Sequence, residues 1–231
     1  MNPDRSTARF LGAAFLLQAV ASAVGGLMLF EPLIVSGDIS ATMTNVSNNA
    51  PQMRASIVVE MVTAIGIVML GSLLFAILKT QNRNMARVAL GLYLIEATIL
   101  AVSRIPAFAL LLTSQESVAA GHPDYLQMLG SLFYELQDFG YSLHMVPFAL
   151  GATLFYSLFF RSGLLPRILS VWGLRAAPLA LVGIVVSLLG YSVPIVVVLP
   201  NLPFDLTAGV WLLVKGIPDG SEASRNLEED V

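Results

Sequence analysis

Twenty-one consecutive residues, Phe10 to Phe30, carry no charge, and neither do the eighteen from Met61 to Leu78. An α-helix crosses the bilayer core with about 20 apolar residues, so each run fits one passage. A transmembrane barrel needs short segments of alternating polarity, and these runs do not alternate. Charged residues make up 12% of the chain and its mean hydropathy is +0.79, far more apolar than a soluble domain, where about a quarter of residues are charged. The fold class is therefore all-α, a polytopic transmembrane bundle. Six spans account for the hydropathy, at about 8–30, 55–79, 86–113, 131–160, 168–190 and 193–215.

Arg5, Arg9 and the small residues Ala21-Ser22-Ala23 imitate a cleavable signal peptide. The apolar run continues past that point to Phe30, so the first segment reads as a retained helix. If the N-terminus is inside, Arg5, Arg9, Lys79, Arg83, Arg87, Arg161, Arg167, Arg175, Lys215 and Arg225 fall on or near the cytoplasmic face, and only Arg54 and Arg104 do not. The positive-inside rule then places both termini in the cytoplasm, with Trp172 and Trp211 near the inner interface.

Arg9, Arg87 and Arg167 recur at intervals of 78 and 80 residues, each opening an apolar stretch. Aligned without gaps, 8–24 and 86–102 pair Ala8-Arg9 with Ala86-Arg87 and Phe15-Leu16-Leu17-Gln18-Ala19 with Tyr93-Leu94-Ile95-Glu96-Ala97. Further on, Leu70, Gly71, Leu74, Phe75 and Leu78 match residues 80 positions later. A shorter third unit opens at Pro166-Arg167 and closes with Gly209, Leu212 and Lys215. The expectation is six helices arranged as three αα-hairpin repeats (about 1–80, 81–165 and 166–215) within one transmembrane domain, 1–215. These are parallel repeats about an axis along the membrane normal. The connections 31–54 and 114–130 read as polar, solvent-facing loops, and 216–231 as an acidic, disordered cytoplasmic tail.

Ionisable groups inside a span are costly and normally turn inward. Here they are Glu60, Glu96, Arg104, Glu135, Asp138, His144 and Asp205, mostly in the expected outer half. Gln137, Tyr141 and His144 share one stripe of the fourth span, and Glu135, Asp138 and Ser142 the adjacent one. Pro147 is expected to kink this helix near His144. A guanidinium cannot lose its proton, so Arg104 is expected to pair with Glu60, Glu135 or Asp138. In the sixth span Pro200, Asn201 and Pro203 interrupt the helix, and the part that remains is too short to cross alone.

Glu60, Glu96, Arg104, Glu135, Asp138, Tyr141, His144 and Asp205 are thus the candidate binding residues. None is singled out as catalytic. A metal centre finds little support, because Glu-x-x-His is absent and one intramembrane histidine is few for zinc. With no cysteine in the chain, thiolate sites and disulfides are excluded. Nothing calls for a cofactor, and no basic cluster points to nucleic acid. Oligomeric state is not encoded in any feature of the sequence.

The segments ARVALGLYLIEA, FRSGLLPRILSVWG at 160–173 and PFDLTAGVWLLVKG, together with the central His144, resemble the bacterial integral membrane family called domain of unknown function 4386. The most specific pieces are Arg161-Ser162-Gly163-x-x-Pro166-Arg167 and Trp211-Leu212-Leu213-x-Lys215-Gly216. Similar proteins are expected to carry Glu where this chain has Asp205. The resemblance implies a multi-pass protein of the bacterial cytoplasmic membrane and no particular activity. From the residues themselves, the leading expectation is binding or transport of a small molecule or a proton through a polar cavity in the outer half. The alternatives are an intramembrane enzyme using Glu135, Asp138 and His144 on a lipid-like substrate, or a non-catalytic scaffold whose partner is the bilayer itself.

Overall fold

The computed structural model describes residues 5–194, 197 and 200–216. The tail 217–231, with Arg225, lies outside them. Among the described residues there is no strand, in keeping with the all-α expectation. The helices are α1 (Arg5–Ser22), continued by a π-helical stretch (Ala23–Phe30) and a 3-10 turn (Glu31–Leu33), then α2 (Ile39–Asn48), α3 (Ala50–Leu78), α4 (Arg83–Val102), α5 (Arg104–Ala119), α6 (Asp124–Ser162), α7 (Arg167–Leu188) and α8 (Asn201–Lys215).

Among the described residues five stretches are long and apolar enough to cross a membrane: Thr7–Leu33, Ala50–Leu78, Arg83–Ala119, Asp124–Ser162 and Arg167–Leu188. Within the expected sixth span, 193–215, the described α-helix is α8, 15 residues or about 22 Å at 1.5 Å per residue. Its start is fixed by Pro200 and Pro203. Proline at the first turn gives up only an N–H that has no helical partner there, so the helix begins at this point and does not extend backward.

Two further expectations are corrected. The connection 31–54 is not an open loop, because α2 lies within it. Asp38 starts α2, its Oδ1 accepting the Ala41 N–H at 2.9 Å. The one-turn spacing of Thr42, Met43 and Val46 then gives α2 a buried face that packs on α5. The second connection is also shorter than expected, since α5 runs to Ala119. Its buried face continues Ala107, Leu110, Leu111, Ser114 and Ser117 at helical period, and the two serines made the segment look like loop. The span 86–113 is broken at Ser103, because Pro106 lacks the N–H that would bond Val102 and its ring crowds that carbonyl. Pro147, by contrast, leaves α6 helical throughout its 39 residues.

The chain packs as two compact units. Among the described residues the first draws on 5–19, 66–96 and those from 145 to 216, the second on 20–65 and 97–144, and α1, α3, α4 and α6 contribute residues to both. In the first unit, helices approach closely at glycine, as membrane helices do where small residues meet. A Cβ on Gly12 of α1 would stand 2.7 Å from the Gly209 carbonyl of α8. Gly71 of α3 and Gly151 of α6 both face the ring of Tyr93 on α4. That ring is 2% exposed and meets Phe155 edge-on, with centroids 5.2 Å apart. The core of the second unit is Phe30, Leu33, Met43, Val46, Met53, Ala107, Leu110 and Leu111.

Candidate functional site

In the second unit α3 presents a polar stripe, Gln52, Ser56 and Glu60, at spacings of four. The stripe faces the π-helical end of the first span. Widening a helix to i→i+5 bonding disturbs its carbonyl ladder, and π segments recur at functional positions. The Gln52 amide donates to the Leu29 carbonyl at 2.9 Å, and the Ser56 hydroxyl to the Gly25 carbonyl at 2.9 Å. Glu60, the third of the series, can only accept when ionised. It is completely buried, and neither carboxyl oxygen has a hydrogen-bond partner among the described residues. Gly25 makes its room: a Cβ there would stand 2.8 Å from Glu60 Oε1.

Arg104 opens α5 just after the break at Ser103 and is 4% exposed. The expected carboxylate contact is not made. Its Nε and Nη2 donate to Ser103 Oγ at 3.2 and 2.8 Å, and its guanidinium lies 5.7 Å from the centre of the Tyr141 ring. The physical reason is local: the break turns Ser103 and Arg104 toward α6, where Gly140 lets Ser103 approach and Tyr141 offers a π face. Tyr141 lies within hydrogen-bonding reach of Ser22 and packs on His144 with the rings tilted by 60° and their centroids 4.7 Å apart. Gln137 and His144, on the same stripe of α6, are buried with Gln137 Oε1 and His144 Nδ1 unpartnered. This centre therefore combines an acid, a cation, two aromatic rings and several unused polar atoms.

Glu135 and Asp138 do not join it. Both are exposed on α6, nine and six residues before His144, which turns them away from the buried stripe. The acid–base trio required for an intramembrane enzyme is consequently not assembled.

Glu96 and Asp205 meet in the first unit instead. They line a crevice with Gln18 and Tyr93 that is too narrow to hold a water molecule. Both are buried, the Tyr156 hydroxyl donates to Asp205 Oδ1 at 3.0 Å, and Glu96 Oε2 has no partner. Tyr156 is held against Phe204, which in turn packs on Trp172. Sequence reasoning named the two carboxyls but missed Gln18, Tyr93 and Tyr156. A signal for the first two was present, since the internal alignment sets Gln18 opposite Glu96 and Phe15 opposite Tyr93.

A family model described as Domain of unknown function (DUF4386) matches residues 10–216, which includes every helix that contributes to either cluster. The chain belongs to this family. No curated protein and no solved structure matches it. The two segments that carried the resemblance in the sequence shape helix ends. In Arg161-Ser162-Gly163-x-x-Pro166-Arg167, Ser162 Oγ accepts the Leu164 N–H at 3.3 Å, Gly163 takes a positive φ of 64°, and Pro166 precedes α7. At the end of α8, Gly216 has φ 73° and returns its N–H to the Leu212 carbonyl at 3.1 Å, as glycine often does past a helix C-terminus. These segments set helix ends in this chain. The buried clusters lie elsewhere.

Proposed function

We propose that this membrane protein is a carrier or binder whose functional centre is Glu60 with Arg104, Tyr141 and His144, and that Glu60 exchanges a proton or binds the cationic part of a small solute. One observation carries the reading: a carboxyl group, fully buried beside a π-helical segment, with both oxygens unpartnered. A carboxylate in that state costs several kcal/mol relative to water, and a proton or a cationic ligand removes most of that cost. Arg104, held by Ser103 and Tyr141, leaves other guanidinium donors for an anionic portion of the same solute. The repeat pattern supports a hairpin arrangement within the first unit, because Gly71 and Gly151, matched at an offset of 80, face the same Tyr93 ring. The charge asymmetry and the family resemblance support a bacterial cytoplasmic membrane with both termini inside.

The test is proton movement into dye-loaded proteoliposomes under an imposed potential, with and without pooled small solutes. The parent protein is expected to acidify the lumen at a rate at least tenfold above Glu60→Gln. Equal rates for parent and variant under every solute pool would overturn the proposal.

A further inference from the structure

We propose that Glu96 and Asp205 form a second proton-binding site, in which one proton is shared by two carboxyl groups. This site is built from other residues than the Glu60 centre and does not depend on it. Three features support it independently. First, the two acids come from α4 and α8 into one crevice and are 2% and 6% exposed. Second, Glu96 Oε2 is buried with no donor among the described residues, while Asp205 Oδ1 already accepts from Tyr156 at 3.0 Å. Third, the crevice admits nothing as large as a water molecule.

The groups facing Glu96 leave little choice of ligand. Gln18 comes from α1, Tyr93 from α4 itself, Tyr156 from α6 and Asp205 from α8, and α3 adds only Ile67 and Leu70. None of these carries a positive charge. Two adjacent anions without a counter-charge repel each other and lose their hydration, whereas one bound proton removes the repulsion and supplies the missing donor. A hydrated or six-coordinate cation needs room that this crevice lacks. Gln18 and the tyrosine hydroxyls serve as neutral partners for whichever carboxyl holds the proton. The pair titrates as a unit, so the proton belongs to both residues.

The experiment is infrared spectroscopy of the full chain in lipid at neutral pH, in a Glu60→Gln background that removes the other buried acid. That protein is expected to show the carbonyl stretch of a protonated carboxylic acid, shifted by deuterium exchange and lost when Glu96→Gln and Asp205→Asn are added. Absence of the band in the Glu60→Gln protein, or its persistence after both additions, would overturn the inference. Should the triple variant fail to fold, Asp205→Glu serves instead, because it keeps the acid and lengthens its reach. A band whose frequency moves supports the shared proton, and an unmoved band refutes it. Since every sample lacks Glu60, this outcome is separate from that of the flux assay.

Discussion

Tyr93 shows how much a single side chain can fix. A Cβ at Gly151 would stand 2.7 and 2.9 Å from its Cδ2 and Cε2, and one at Gly71 no closer than 3.1 Å. Both glycines are helical, so alanine gains about 1 kcal/mol of propensity at either. At Gly71 that gain balances a slight push on a neighbour. At Gly151 the ring edge cannot yield, because Phe155 meets it edge-on, and overpacking costs about 1–3 kcal/mol. Thermal unfolding in detergent should therefore show Gly151→Ala melting well below the parent and Gly71→Ala close to it. Equal melting points would mean that the Tyr93 ring is free to move. At this scale the sequence marked the acids of the two clusters and overlooked their neutral neighbours. An intramembrane Glu or Asp stands out against apolar residues, whereas Gln18, Tyr93 and Tyr156 are ordinary in such helices until a carboxyl is seen beside them. Arg104 was located correctly and partnered wrongly, since charge alone suggests a carboxylate while the break at Ser103 supplies a hydroxyl and a ring.

Helices that read as long apolar runs were legible, and helices that read as polar connections were not. Hydropathy averages over a window, so the 10-residue α2 disappears into 31–54 although Met43 and Val46 are completely buried. Its beginning depends on Asp38, whose side chain occupies an N–H of the first turn. Asp38→Ala should cost α2 about 1 kcal/mol, seen as faster amide hydrogen exchange over residues 39–48 with little change in α3. Unchanged exchange would show that packing against α5 alone holds α2. The π-helical stretch was illegible for another reason. Gly25-Gly26 signals local freedom, but the widened turn also needs Gln52 and Ser56, which arrive from α3 to bond the carbonyls of Leu29 and Gly25. Only the tertiary arrangement shows that Glu60, next on that stripe, has been left without a donor.

For the whole molecule the open question is whether α8 makes a sixth passage. Five stretches have the length and apolarity to cross, and α8, about 22 Å long, falls roughly 8 Å short of a hydrocarbon core of about 30 Å. A passage by α8 therefore needs backbone outside the helix to cover that distance. Irregular backbone at membrane depth is tolerated where protein surrounds it, and Asn201, Phe204, Asp205 and Ala208 are buried. The charges argue for return: Lys215 ends α8 with Arg161, Arg167 and Arg175 already on the inner side by the positive-inside rule. Six passages are therefore expected, with α8 as a short final one. Reporter fusions after Thr80, Gly163 and Gly216 should give cytoplasmic signals, and fusions after Gly121 and Gly190 external ones. If Gly190 and Gly216 report the same side, α8 does not cross. The chain then has five passages, its two ends on opposite faces, and no complete third hairpin. Asp205 could in that case reach Glu96 only from a helix inserted part-way into the bilayer.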